Sequence, residues 1–180
     1  MHVNAKKMAF SGMLLAITVV FMYLGSVIET NTLFLLAAAS YFVGIMIREM
    51  GVKTGAAFYI AGVLLGVLLA PNKFYVFSYS VMGFYILMTE ILWRALGRMS
   101  GGYAGRMGIF WTAKYVIFNL IYLPIVFLFP KLIFAGELFV MTKILLIGAG
   151  QIGLLVYDKA YDYVQAKLWG KVRHRFIQEF

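Results

Sequence analysis

The sequence predicts an all-α, polytopic membrane protein of six transmembrane helices with both termini on the cytoplasmic side. Three observations carry that prediction. Of 180 residues, 63% are hydrophobic and only 13% charged, against roughly 45–50% and about 25% in soluble domains. A water-soluble domain of this size leaves about 30% of its chain surface exposed, which is too much to hide so many apolar side chains. The apolar residues fall into six runs of membrane-crossing length, and the basic residues alternate in density between the connections.

A spanning helix needs roughly 20 mainly apolar residues. On that measure the first span runs from about Met8 to Gly25, the second from Thr32 to Ile47 and the third from Thr54 to Ala70. The fourth covers Phe74 to Trp93, the fifth Gly108 to Phe129 and the sixth Leu138 to Tyr157. Each break holds polar, Gly or Pro residues, as in Glu29-Thr30-Asn31, Pro71-Asn72-Lys73 and the Gly-rich stretch Gly97 to Gly105. The first run is long for a signal-peptide core, and its end lacks a small-x-small cleavage pattern. Beyond the sixth span, Tyr157, Tyr161, Val164 and Leu168 continue at helical spacing. This predicts an amphipathic, basic cytoplasmic end over about 158–180, resting on the membrane surface of a single six-helix domain, 1–180.

Orientation follows from the short-loop cations. With the N-terminus inside, twelve of the 16 Lys and Arg lie on the cytoplasmic side, two (Lys73 and Lys131) lie outside, and Lys114 and Lys143 lie within spans. The formal charge of +9 is therefore placed to meet anionic headgroups of a cell membrane, not nucleic acid. With no Cys, disulfides, thiol catalysis and Cys-ligated zinc are all removed. No metal or cofactor is called for by any residue pattern.

The most conspicuous motif is Gly148-Ala149-Gly150-Gln151-Ile152-Gly153, which matches the dinucleotide fingerprint G-x-G-x-x-G. That fingerprint works only inside a βαβ unit with a later acidic residue, and the 27 residues after Gly153 read as a helix with a basic end. Within a membrane span such glycines serve close helix packing, and Gly62 and Gly66 read the same way. Tyr157-Asp158 matches half of an intramembrane aspartyl protease site, but the second half, Gly-x-Gly-Asp, is missing. Asp158 at the cytoplasmic edge reads as a solvated helix end.

Charges inside spans are costly unless paired or wet. Glu90 sits about one turn inside the cytoplasmic end of span four, and Lys114 nearly two turns inside the same end of span five. They are expected to form an intramembrane ion pair. Lys143, a little over one turn inside the outer end of span six, has three readings: snorkelling, pairing with Glu29 or Glu137, or holding an anionic group of a ligand. At the same outer level lie Glu29, Asn31, Asn72, Tyr75, Ser78, Tyr79, Asn119 and Tyr122. They belong either to an interfacial aromatic belt or to the wall of a small-molecule pocket. On the first helix Ala5, Ala9, Gly12 and Ala16 recur at steps of four, three and four. They form a small-residue face that another helix can approach.

Six spans in 180 residues, both termini inside, and the opening Lys6-Lys7-Met8-Ala9-Phe10-Ser11-Gly12-Met13-Leu14-Leu15-Ala16 resemble the substrate-binding S components of energy-coupling factor transporters. The resemblance covers the whole chain as architecture and the first helix as motif. It implies that Ala5 and Ala9, extended by Gly12 and Ala16, dock a membrane-embedded coupling subunit, although Met13 stands where a further alanine step would fall. It also implies capture of a vitamin-like molecule in an outward pocket and energy supplied by separate ATPases. Lys143 would then contact the anion, with Tyr79, Asn119, Tyr122, Glu29 and Asn31 around it. Two other classes stay open. One is a non-transporting scaffold of a bacterial envelope or sporulation complex, with its outer pocket filled by side chains. The other is an intramembrane enzyme, which requires Glu90, Lys114 or Asp158 to converge on a water-filled cavity.

Overall fold

A computed structural model describes residues 5–98, 103–128, 140–171 and 173 of the chain. The described residues are helical throughout apart from short connections, and six helices are long and apolar enough to cross a membrane. They are α1 (Ala5–Val27), α2 (Thr32–Met50), α3 (Val52–Leu69), α4 (Lys73–Leu96), α5 (Tyr103–Leu128) and α6 (Val140–Tyr163). A 3-10 turn, Glu29–Asn31, joins α1 to α2, and α6 continues without a break into a π-helical segment, Val164–Trp169. All six predicted spans coincide with helices, which overrun most of the predicted ends. In lipid every backbone N–H and C=O needs an internal partner, so a chain of this composition has little alternative to continuous helices.

The helices form two compact units, Met1–Ile91 with Tyr163–Phe180, and Leu92–Asp162. In the first, α2 is the central element and packs against both α1 and α3. Its buried residues, from Leu36 through Ala39, Tyr41 and Val43 to Ile47, surround the helix rather than marking one stripe. By contrast, α1 buries Phe10, Leu14, Thr18, Met22 and Gly25, one face at steps of three and four. The centre of the unit is Met22, Leu36, Ala39 and Tyr79, with Val63, Tyr75 and Met82 packed around them.

Glycines set how closely these helices approach. A Cβ on Gly62 would lie 2.6 Å from the Tyr79 hydroxyl, and one on Gly66 would lie 3.1 Å from Met22 and from Val76. The G-x-x-x-G of α3 is thus a notch that α4 and α1 fill, which is the packing use expected for it. At the tight α2–α3 junction Gly51 has φ +91°, a backbone conformation that costs a residue with a side chain but not glycine. At the α3–α4 junction the Lys73 ammonium donates to the Ala70 carbonyl at 2.8 Å, meeting one of the carbonyls that a helix C-terminus leaves over. The Asn72 side chain accepts from the Phe74 amide at 3.0 Å and caps the start of α4.

The C-terminal segment departs from its sequence reading. The helix continues past residue 158, as the spacing predicts, but the face that turns inward is not Tyr157–Tyr161–Val164–Leu168. Instead Leu154, Asp158, Tyr161, Gln165 and Trp169 are buried, while Leu168 is exposed. Repeated four-residue steps drift around an α-helix of 3.6 residues per turn, and the wider π turns at Val164–Trp169 offset that drift. In the first unit this segment is latched at three points. The Trp169 indole donates to Glu49 at 2.9 Å, and the Arg173 guanidinium forms an ion pair with the same carboxylate oxygen at 3.1 Å. Gln165 donates to the Tyr41 carbonyl at 3.3 Å. The Phe10 and Trp169 rings pack with centroids 5.5 Å apart.

Candidate functional site

The second unit contains a seam of polar contacts between α5 and α6 at three levels. At the first, the Lys114 ammonium donates to both oxygens of Asp158, at 2.7 and 2.8 Å. Both residues are buried, Lys114 to 4% exposure and Asp158 to 2%. The same ammonium lies 4.4 Å from the Phe110 ring centroid and 5.1 Å from that of Trp111. Attraction to the ring faces adds to the ion pair in a site shielded from solvent. At the next level Gln151 donates to Asn119 at 2.8 Å, and Asn119 donates to the Tyr115 carbonyl at 2.9 Å. At the third, the Tyr122 hydroxyl donates to the Leu146 carbonyl at 2.7 Å. Its ring stacks on Phe118 at 5.0 Å and fills the space that a side chain on Gly150 would need.

The order of partners reverses from one helix to the other, so α5 and α6 run antiparallel in a fixed register. Interhelical polar bonds in membranes average about 0.6 kcal/mol and reach about 1.7. The seam therefore specifies register more than it adds stability. Its ion pair also brings no net charge into lipid, which removes most of the penalty that either group would carry alone.

Glu90 and Lys114, expected to pair with each other, each take a partner within their own unit. In the first unit Glu90 accepts from Arg48 through Nε and an Nη, at 2.8 and 2.6 Å, while Lys114 takes Asp158. The reason is geometric. Arg48 at the end of α2 has the reach to find Glu90, and Asp158 lies level with Lys114 on the antiparallel neighbour. Asp158 is likewise not a solvated helix end. The acids and the lysine that an intramembrane enzyme would bring together are engaged in these two pairs.

Of the predicted pocket residues, Tyr79 is fully buried, so no solvent-sized space touches it. Its hydroxyl sits in the Gly62 notch without a hydrogen-bond partner. Asn119 and Tyr122 belong to the seam. Asn31 is exposed in the 3-10 turn, whereas the side chain of Glu29, like Glu137, lies outside the described residues. Lys143 is half-buried in the first turn of α6 and takes no ion-pair partner among the described residues. Among the described residues nothing covers the small face of α1: Ala5, Ala9, Gly12 and Ala16 are exposed, and nothing lies within 4 Å of a Cβ placed on Gly12.

The sequence reading did not find Gln151, Arg48, Glu49 or Trp169 as contact residues. For Gln151 a signal existed, an amide in mid-span with Asn119 at matching depth on the preceding span, but it was hidden inside the false dinucleotide motif. In that motif only Gly150 meets a close neighbour; Gly148 and Gly153 face open space. Comparison with protein-family models, with curated proteins and with solved structures finds no match.

Proposed function

We propose that the chain is the membrane-embedded, substrate-capturing subunit of a small-molecule uptake system whose energy comes from separate partner subunits. The observation that carries this reading is the two-sided character of α1. One face, Phe10, Leu14, Thr18 and Met22, is packed into the first unit, while Ala5, Ala9, Gly12 and Ala16 remain uncovered. A smooth face of small residues lets a second helix approach to backbone distance, where van der Waals contact drives association in lipid. Under the orientation given by the charge bias, this face starts at the cytoplasmic end, where a coupling subunit and its ATPases would act. Lys143 is the proposed anchor for an anionic group of the substrate at the opposite end. Tyr79 drops out of the proposed pocket wall.

A second reading, a non-transporting scaffold, draws on Tyr79 itself. A hydroxyl plugged into the core at a position first assigned to a pocket is what a filled, ligand-free bundle would show. Thermal unfolding of the purified chain in nanodiscs, against a panel of anionic vitamins and their precursors, separates the two. The uptake reading expects a shift with one compound that Lys143→Met abolishes, together with co-purification of a membrane subunit and an ATPase. No shift with any compound and no ATPase partner would leave the scaffold standing.

A further inference from the structure

We infer that the Arg98–Arg106 end of the α4–α5 pair binds the phosphate of an anionic phospholipid, whose acyl chain lies along α5. Trp93 and Phe110 pack with centroids 4.9 Å apart, which fixes the level of α4 against α5 close to their connection. One turn nearer the shared end from that contact lie Gly97, in the turn just past α4, and Arg106 on α5. Gly97 adds no side chain there, and Arg98 follows immediately, exposed to the surroundings.

Arg106 carries the observation that points to a ligand. Its Nε–H is shielded from solvent and has no hydrogen-bond partner among the described residues, which is costly for a charged donor. Neither α5 nor the last turn of α4 carries an acid, because no Asp or Glu occurs between Glu90 and Glu137. The acids of the neighbouring α6 are Asp158, which takes Lys114, and Asp162, which is itself engaged. Nearby Lys114 is already neutralised by Asp158. Cations thus accumulate at this end without counter-charge from α5 or the last turn of α4. A guanidinium presents a planar fork that suits phosphate oxygens.

What selects a lipid over a soluble anion is the lane leading away from Arg106. Ile109, Val116 and Leu120 follow it along α5 at helical steps that keep them on one side, and all three are exposed. Trp93, 41% exposed, stands beside the cationic end as an indole does at headgroup depth. A cation at the head of an apolar, uncovered lane matches a molecule with one phosphate and long acyl chains. A free phosphate would make no use of the lane.

The test is native mass spectrometry of the full chain, released from micelles containing phosphatidylglycerol or phosphatidylcholine of identical acyl chains. The wild type is expected to retain phosphatidylglycerol preferentially. Arg98→Gln and Arg106→Gln should each weaken that retention about five-fold, the worth of one interfacial charge. Arg106→Lys, which keeps the charge but not the fork, should fall between. Removing two cations elsewhere by Lys6→Gln/Lys7→Gln should leave retention unchanged. If Arg106→Gln does not fold, Arg98→Gln carries the same expectation. Equal retention of the two lipids would overturn the inference, as would equal weakening by the Lys6/Lys7 variant. Displacement of the lipid by millimolar inorganic phosphate would also overturn it, by showing an anion site that ignores the acyl lane.

Discussion

Lys114 and Asp158, 44 residues apart in the chain, face each other across α5 and α6 with both carboxylate oxygens engaged and both side chains almost wholly covered. Removing one partner strands the other charge in a dry site. Asp158→Asn or Lys114→Met alone should destabilise the chain by about 3–5 kcal/mol, read as unfolding in detergent by heat or denaturant. The double variant Lys114→Met/Asp158→Leu should recover most of that loss, because two apolar side chains need no pairing. A double variant as unstable as the singles would show that the pair is more than mutual neutralisation.

The Gly150–Tyr122 contact makes a second prediction. A methyl group on Gly150 would overlap the tyrosine ring, and overpacking of this kind costs about 1–3 kcal/mol. Gly150→Ala should therefore lower the unfolding temperature, and Tyr122→Ala should relieve that specific clash when combined with it. Gly148→Ala and Gly153→Ala, where nothing lies within 4 Å, should be near neutral. Equal effects at all three glycines would remove the argument from close packing.

On α1 the contrast is between stability and assembly. Gly12→Leu and Ala9→Leu alter an open face, so the isolated chain should keep its unfolding temperature within about 0.5 kcal/mol of stability. Both should reduce co-purification with a partner membrane subunit. Gly62→Leu, which drives a side chain into Tyr79, should do the reverse and destabilise the chain itself. If Gly12→Leu left partner recovery intact, the docking role proposed for this face would be lost.

The C-terminal latch rests on Glu49, which accepts from Trp169 and pairs with Arg173. Glu49→Gln and Trp169→Phe should each increase amide exchange and protease sensitivity of the segment after Tyr163, while exchange in α3 stays unchanged. A uniform rise across all helices would mean that the contact supports the whole first unit and not the segment alone.

How far the sequence reaches differs from element to element. The six spans were legible because the requirement is one-dimensional: a run of apolar residues of membrane-crossing length, ended by Gly, Pro or charge. The helical nature of Gly148 to Gly153 was legible for the same reason, since the stretch lies within one such apolar run. The partners of Glu90 and Lys114 were not. Depth along a span can be estimated by counting residues, but which helices are neighbours cannot. The structure gave Arg48 to one and Asp158 to the other. Tyr79 illustrates the same limit, because an interfacial tyrosine and a core tyrosine have the same local sequence, and only Gly62 on another helix distinguishes them.

The amino-acid sequence by itself determined the six helices, among the described residues, that are long and apolar enough to cross a membrane, because hydrophobicity and backbone hydrogen bonding act within each segment. Tertiary structure alone decided which polar groups meet, which face of α1 stays open and which face of the C-terminal segment turns inward. Those outcomes depend on helix adjacency and rotation, which are set by side-chain fit between segments distant in sequence.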